Sequence, residues 1–464
     1  MVMQAIQSAQ TVKVQCCAVV AELGDITRMW IAIFFFLAIL GLLAYLDTRK
    51  PVNYPPGPRW LPILGSSLTV HRLRKKTGYL YKTTTELCKE YGHVVGLKVG
   101  KDKIVIVDGY EPLKQMLTDD DFSGRPMGLF YETRTWGIRR GLLLTDEEFW
   151  QEQRKFVMRH LRDFGFGRRT MAALVEEESE DLVRMFMDKI KPTQSAIISM
   201  KDVFGVSVLN TLWTMMANNR YNPEDKEMKT LQNLLTELFE HIDMVGALFS
   251  QFPVLRYVAP ELSGYNLFLS THVKIWEFLR QELDKHNSTF KEGTARDLMD
   301  VYIEVLRSTD RKPSFSESQL MAVCMDLFMA GSETTSKTLA FAFLYLLLYP
   351  DVQQCAQEEI DRVVGRDRFP LLSDRANMPY CEALVLETIR FFMGQGFTVP
   401  HRALRDSTLQ GFFIPKDTML LANMNGVLMT NTQWDDPEAF RPDRFLYDNK
   451  LVVPDNYFPF EVYI

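Results

Sequence analysis

Ser316-Glu317-Ser318-Gln319 opens the stretch that decides the fold, and it runs on through Ala330-Gly331-Ser332-Glu333-Thr334-Thr335 to Tyr349-Pro350. Ser at the start with Gln three residues on is a capping box, so a helix is predicted to begin here. Pro350 lacks the N–H and clashes with the preceding turn, which places the stop at Tyr349. A helix of about 33 residues far exceeds the usual length, and Leu339 to Leu348 is apolar all round. Such a helix is expected to cross the middle of a core rather than lie on its surface. Ser332, Glu333 and Lys337 interrupt the run and argue against a membrane span.

Outward from this helix, His93 to Val99 and Lys103 to Asp108 are β-rich and joined by Gly100-Lys101-Asp102, which predicts a hairpin. Val175 to Ile190 and Val273 to Lys285 have helical periodicity. The fold class expected is mainly α with a smaller β-sheet region. No Ser/Gly-rich linker, charge block or repeat divides residues 59 to 460, so one folded unit is expected.

The net charge of -6 supplies no general reason for nucleic-acid binding. The six cysteines, Cys16, Cys17, Cys88, Cys324, Cys355 and Cys381, show neither zinc spacing nor a disulfide framework. That suits a reducing, cytosol-facing domain, and no metal site is predicted from side-chain spacing. Met29 to Leu46 is uncharged and just long enough to span a bilayer. Arg49, Lys50, Arg59, Arg72, Arg74, Lys75 and Lys76 follow it, against Lys13 and Arg28 before it. The positive-inside rule therefore puts the large C-terminal part in the cytosol. A cleaved signal peptide is the alternative, but no small-residue cleavage site precedes the charges. On that topology the Asn287-Ser288-Thr289 glycosylation pattern is a chance match. Pro55-Pro56-Gly57-Pro58 makes a stiff elbow. The expected organisation is an N-terminal extension over 1–28, a transmembrane anchor over 29–46, a Pro-rich linker over 47–58 and a catalytic domain over 59–464.

Further motifs stand in fixed order around the long helix: Trp150-Gln151-Glu152-Gln153-Arg154 before it, then Glu387-Thr388-Ile389-Arg390, Phe440-Arg441-Pro442-Asp443-Arg444-Phe445 and Phe458-Pro459-Phe460 after it. An acid beside a hydroxyl, Glu333 and Thr334, is a sensible proton relay, although alone it reads equally as a solvated Glu next to a weak helix former. Glu387 and Arg390 at i,i+3 face the same way, a pattern that by itself is usually a surface ion pair. Together the set resembles the haem-thiolate monooxygenases, the cytochrome P-450 family, over roughly residues 29 to 460. It is most similar to the microsomal branch with vertebrate drug- and steroid-hydroxylating members and insect relatives.

The resemblance implies a role for each motif. Gly331 would belong to the part of the helix that crosses the haem, with Glu333 and Thr334 steering protons toward bound dioxygen. Arg125, Trp150, Arg154 and His401 would hold the haem, and Glu387, Arg390 and Arg444 would form a buried structural triad. Phe130, Phe328, Thr398 and Val399 would line an apolar substrate pocket. Lys155, Arg159, Arg162, Arg168 and Arg169 make a basic region that would face an NADPH-dependent flavoprotein reductase, though a solvated charged surface is equally compatible. The implied place is the endoplasmic reticulum membrane, with a single span and the catalytic domain in the cytosol. The implied activity is hydroxylation or epoxidation of a lipophilic small molecule with O2.

In that family Phe-Pro-Phe opens a loop continuing Gly-x-Gly-x-Arg-x-Cys. Here Glu461 and Tyr463 replace the two glycines, and the cysteine would fall three residues past Ile464. The expectations are a chain truncated before the thiolate ligand, inactive as written, with apolar surface of the central helix uncovered. A non-catalytic membrane-tethered decoy or an incomplete gene model are the alternatives. Tyr463 can in principle ligate haem iron, but a terminal tetrapeptide offers no scaffold to hold it.

Overall fold

The computed structural model describes residues 30–201, 203–242 and 247–459. Met29, the preceding 28 residues, and Phe460 with the Glu461–Ile464 end lie outside the described residues. The helices are α1 Trp30–Asp47, α2 Ser67–Thr77, α3 Leu80–Tyr91, α4 Tyr110–Thr118, α5 Leu129–Thr133, α6 Glu147–Asp163, α7 Arg169–Ile190, α8 Gly205–Ala217 and α9 Lys226–His241. They continue as α10 Leu248–Gln251, α11 Leu255–Val258, α12 Tyr265–Thr289, α13 Leu298–Arg307, α14 Glu317–Leu348, α15 Pro350–Val363, α16 Pro379–Met393 and α17 Asn425–Leu428. The strands are β1 Val94–Val99, β2 Asp102–Asp108, β3 His401–Arg402, β4 Ser407–Leu409, β5 Phe412–Ile414, β6 Met419–Asn423, β7 Leu446–Tyr447 and β8 Lys450–Leu451. The protein is mostly helical with small sheets, as the sequence predicts.

The main sheet has the order β1-β2-β6-β3. β1 and β2 form the predicted hairpin, with Val95 opposite Ile106 and Leu97 opposite Ile104. β6 joins β2 in parallel and so brings a segment more than 300 residues away beside the hairpin. One core cluster packs Val95, Ile106, Trp213, Phe278 and Phe328 between the helices. A second packs Val105, Phe122, Leu420 and Phe445 on the other side of the sheet.

The long helix begins and ends almost where its sequence places it, but three details differ. Ser316 Oγ accepts from Gln319 N at 3.1 Å, while the Gln319 side chain does not close the capping box. It turns inward instead, accepting from Gly141 N at 2.9 Å and donating to Gly141 O at 3.2 Å. Pro350 stops α14 and also starts α15, at a bend of 107°. Burial is continuous only in the first part of the helix: Leu320 to Met325 are buried, whereas Leu347 is 71% and Leu348 62% exposed. Expecting a core helix along its whole length is corrected accordingly: toward its end one face still packs, with Tyr345 against Phe391 and Phe440, while Leu347 and Leu348 face outward.

Trp30–Asp47 is long and apolar enough to cross a membrane, and none of it is buried against the protein. Its end is tied down. Lys98, 7% exposed on β1, pairs with the Asp47 carboxylate and donates to Asp47 O at 2.9 Å. Asp47 Oδ2 accepts from Ile63 N at 2.8 Å. The Pro-rich elbow is docked as well: Gly96 N donates to Pro56 O at 2.7 Å, and Tyr54 and Trp60 are core residues. Any side chain at Gly57 would strike the Gly96 carbonyl. This stretch packs as part of the folded unit rather than as a free linker.

Candidate active site

Arg125 and His401 meet because β3 runs back along the segment that follows α4. Arg402 N donates to Gly124 O at 2.7 Å, and His401 Nδ1 lies 2.8 Å from Phe122 O. Arg125 is buried, with Nη1 donating to Pro400 O at 3.4 Å. Both residues and Trp150 line one cleft of about 490 Å³. Arg154, one turn further along α6, rests its guanidinium 5.2 Å from the Trp150 ring centre. The structure thus gathers Arg125, Trp150 and His401 from three separate segments around one opening, with Arg154 against Trp150 but not lining it.

Asp146 holds this corner and was not singled out from the sequence. Its Oδ2 accepts from Arg125 N at 2.9 Å, Arg139 Nη1 at 3.0 Å and Arg402 Nη2 at 2.8 Å. Burial pushes its carboxyl upward, but the Arg139, Arg125 and Arg402 donors outweigh this and hold it below the usual carboxylate range. Asp before a helix reads as an N-cap. Here the side chain makes no capping bond, because the arginines take its oxygens.

On α14, Ala330, Thr334 and Thr335 are exposed directly after a buried turn. Thr334 Oγ1 donates to Ala330 O at 2.8 Å, which leaves its lone pairs facing outward. Glu333 points to a different side, accepting from Thr236 on α9 at 3.0 Å and pairing with Lys337 at 2.7 Å. Among the described residues Glu333 and Thr334 do not hydrogen-bond each other, and neither lines the Arg125–His401 cleft. Gly331 lies against α8. A Cβ there would lie 2.8 Å from Leu212, so what the glycine admits is α8.

Glu387, Arg390 and Arg444 come together. Arg390 donates to both Glu387 oxygens at 2.7 and 2.9 Å, and Arg444 Nε reaches Glu387 Oε1 at 3.0 Å. Arg441 N adds a fourth donor at 2.8 Å. Both partners of the first pair are fully buried, so this is not a surface ion pair. Arg390 also donates to the carbonyls of Leu428 and Pro437, which ties α16 to the C-terminal segments.

The four pocket candidates do not form one wall. Phe328 is fully buried among Trp213 and Phe278, facing α8 and α12. At 100° per residue it lies nearly opposite Ala330 on the helix, so as a lining residue of that open face it is corrected to a core residue. Phe130 is buried in an aromatic group with Tyr131, Phe249 and Phe268. Thr398 and Val399 are half-buried beside β6, and the Thr398 hydroxyl is buried without a hydrogen-bond partner. A separate cavity of about 570 Å³, lined by Val70, Leu97, Ile106, Leu267 and Leu421 among others, lies between the main sheet and the α10–α12 region.

The exposed small-residue face of α14 and the orphaned Thr398 hydroxyl suit a flat apolar ring, and the Arg- and His-lined cleft suits carboxylate arms. Those are the demands of haem. Among the described residues no cysteine stands at this face. Cys88 and Cys324 are buried, Cys355 and Cys381 lie on α15 and α16, and burial holds the Cys88, Cys324 and Cys381 thiols above their ordinary range.

A "Cytochrome P450" family model matches residues 55–461. The chain is 44% identical to "Probable cytochrome P450 303a1" of Drosophila melanogaster, over 92% of this chain and 87% of that protein. It is 35% identical to "Farnesoate epoxidase" of Bombyx mori, covering 90% and 84%. It is 31% identical to "Cytochrome P450 2J5" of Mus musculus, covering 94% and 87%. With the helical fold and the buried Glu387–Arg390–Arg444 group, these matches make the chain a member of the cytochrome P450 family of haem monooxygenases.

Proposed function

We propose that the protein hydroxylates or epoxidises a lipophilic small molecule with dioxygen, using electrons from an NADPH-dependent flavoprotein reductase. The observation that carries this reading is the cleft shared by Arg125, Trp150 and His401. Haem, when bound, supplies reductive activation of dioxygen. The residues that would hold it are Arg125, Arg154 and His401, whose donors suit carboxylates, together with Trp150. Thr334 offers a hydroxyl on the open face of α14, where it can accept and pass on a proton. Glu333 is the acid that supplies it, held until needed by Lys337 and Thr236. Thr398 and Val399 are the substrate-facing residues of this reading, with the 570 Å³ apolar cavity as a further space for a lipophilic compound. The relative named for farnesoate is an instance of such chemistry in that protein. The reductase would meet Lys155, Arg159, Arg162, Arg168 and Arg169, all exposed on or just after α6. The endoplasmic reticulum membrane, with α1 as a single span, is the proposed location.

The test joins a family cysteine loop and C-terminal tail after Phe460. Reduced, carbon-monoxide-treated membranes are expected to show the Soret band of thiolate-ligated haem, and Glu387→Ala or Arg390→Ala to abolish it. A graft that never takes up haem would sink the reading, and haem retained in both alanine variants would remove the triad from it.

A further inference from the structure

We infer that Asp47 and Lys98 form a latch between α1 and the main sheet, so that the membrane helix and the domain move as one body instead of being joined by a free tether. Asp47 is the last residue of α1, where a helix leaves its final carbonyls without intrahelical partners and carries a partial negative charge. Lys98, 7% exposed on β1, answers both: it pairs with the Asp47 carboxylate and donates to Asp47 O at 2.9 Å. One buried ammonium therefore holds the side chain and the backbone of the same helix end. Among the described residues Asp47 is the only acid paired with Lys98. Opening the latch would leave a buried charge unmatched, which strongly favours the closed state.

The loop between the elbow and α2 closes the latch from the other side. Gly65 N donates to Leu61 O at 2.8 Å, and Leu64 N donates to Pro62 O at 2.6 Å. Ile63 at the tip has a φ of 63°, in the left-handed region that a β-branched residue avoids. Such a conformation persists only where its surroundings fix it, and here Asp47 Oδ2 accepts from Ile63 N at 2.8 Å. Ser66 N then donates to Lys98 O at 2.5 Å. The elbow joins the same knot: Lys50 donates to Gly57 O at 2.7 Å, and Lys50 and Lys98 each lie 5.8 Å from the ring centre of buried Trp60.

The latch reaches the wall of the 570 Å³ cavity. Leu97 and Val99, on either side of Lys98 in β1, line that cavity, as do Ser67 and Leu68 directly after Ser66. Side chains alternate along a strand, so Lys98 turns to Asp47 while its two neighbours form the wall. With the latch closed, this wall keeps one position relative to α1, which a flexible tether would not give it. The inference rests on the reading of α1 as a membrane anchor, and it is independent of haem and of which side of the membrane the domain faces.

The experiment places the full chain in lipid nanodiscs, where trypsin reaches both faces of the bilayer, and follows cleavage after exposed Arg49 by mass. Arg49 lies between the latch and the Lys50–Gly57 contact, so cutting there requires the helix end to come loose. Arg311, exposed in the loop after α13, is the reference site. Lys98→Met is expected to raise cleavage at Arg49 about tenfold, the scale of one charge-assisted hydrogen bond, and to leave Arg311 unchanged. Asp47→Asn, made at the partly exposed partner should Lys98→Met not fold, should raise it as well, whereas Lys98→Arg should stay close to the native rate. The double variant Asp47→Asn with Lys98→Met is expected to be cut no faster than the faster single variant, because both remove one interaction. Native rates in both single variants overturn the inference. So do equal rises at Arg49 and Arg311, which mean general loosening, and additive effects in the double variant, which mean two unconnected contacts. A failure of the chain to enter nanodiscs at all would instead strike the reading of α1 as an anchor and the inference with it.

Discussion

Two histidines in this protein pull stability in opposite directions with pH. His286 is buried against Asp297 at 2.9 Å. Burial lowers its pKa, but the Asp297 hydrogen bond and charge outweigh this and raise it above 6.5. Its contribution is present below the unfolded pKa and is lost as pH rises through the raised folded value. His272 is the reverse: lowered to about 3, it must stay neutral, so the folded state loses stability as pH falls from 6.5 toward 3. His286→Gln is expected to flatten the decline on the alkaline side and His272→Asn the acid limb, measured by urea unfolding across pH. An alkaline limb unchanged by His286→Gln would mean that Asp297 is held equally well by its capping bond to Asp300 N. Sequence reading missed both histidines, because their partners lie on other turns and helices. Asp326, which pairs with buried Arg134, was missed too, although a single acid within Val323-Cys324-Met325-Asp326-Leu327-Phe328 is a signal of a buried partner.

At the scale of elements, α14 is held by α8 on one face and open on another. Ala for Gly in a helix interior gains about 1 kcal/mol. At Gly331 the added methyl meets only the tip of Leu212, which can rotate aside. Gly331→Ala is therefore expected to change stability by less than about 1 kcal/mol, while Gly331→Leu costs about 1–3 kcal/mol by forcing α8 away. Chemical denaturation of both variants decides this, and a tolerated leucine would mean the two helices are not closely packed at Gly331. The start and stop of α14 were legible from Ser316 and Pro350, since both act through local backbone chemistry. Which face is buried was not, because Leu339 to Leu348 is apolar on every side and periodicity carries no direction there.

For the molecule as a whole, α1 is long and apolar enough to cross a membrane, and the proposed topology has a direct test. Protease added to sealed microsomes is expected to digest the domain after α1, and protection of that domain, or glycosylation at Asn287, would reverse the topology. The sequence by itself determined the family, the helical class and the hairpin. All of these rest on local chemistry or on motifs whose order survives without coordinates. Only the tertiary structure decided that Phe328 is core, that Glu333 turns toward Thr236 and Lys337, that Gly331 admits Leu212, and that Lys98 meets Asp47. Each of these depends on which distant side chain arrives at a given face. A one-dimensional pattern sets the spacing of residues along an element, whereas the packing of element against element chooses their neighbours.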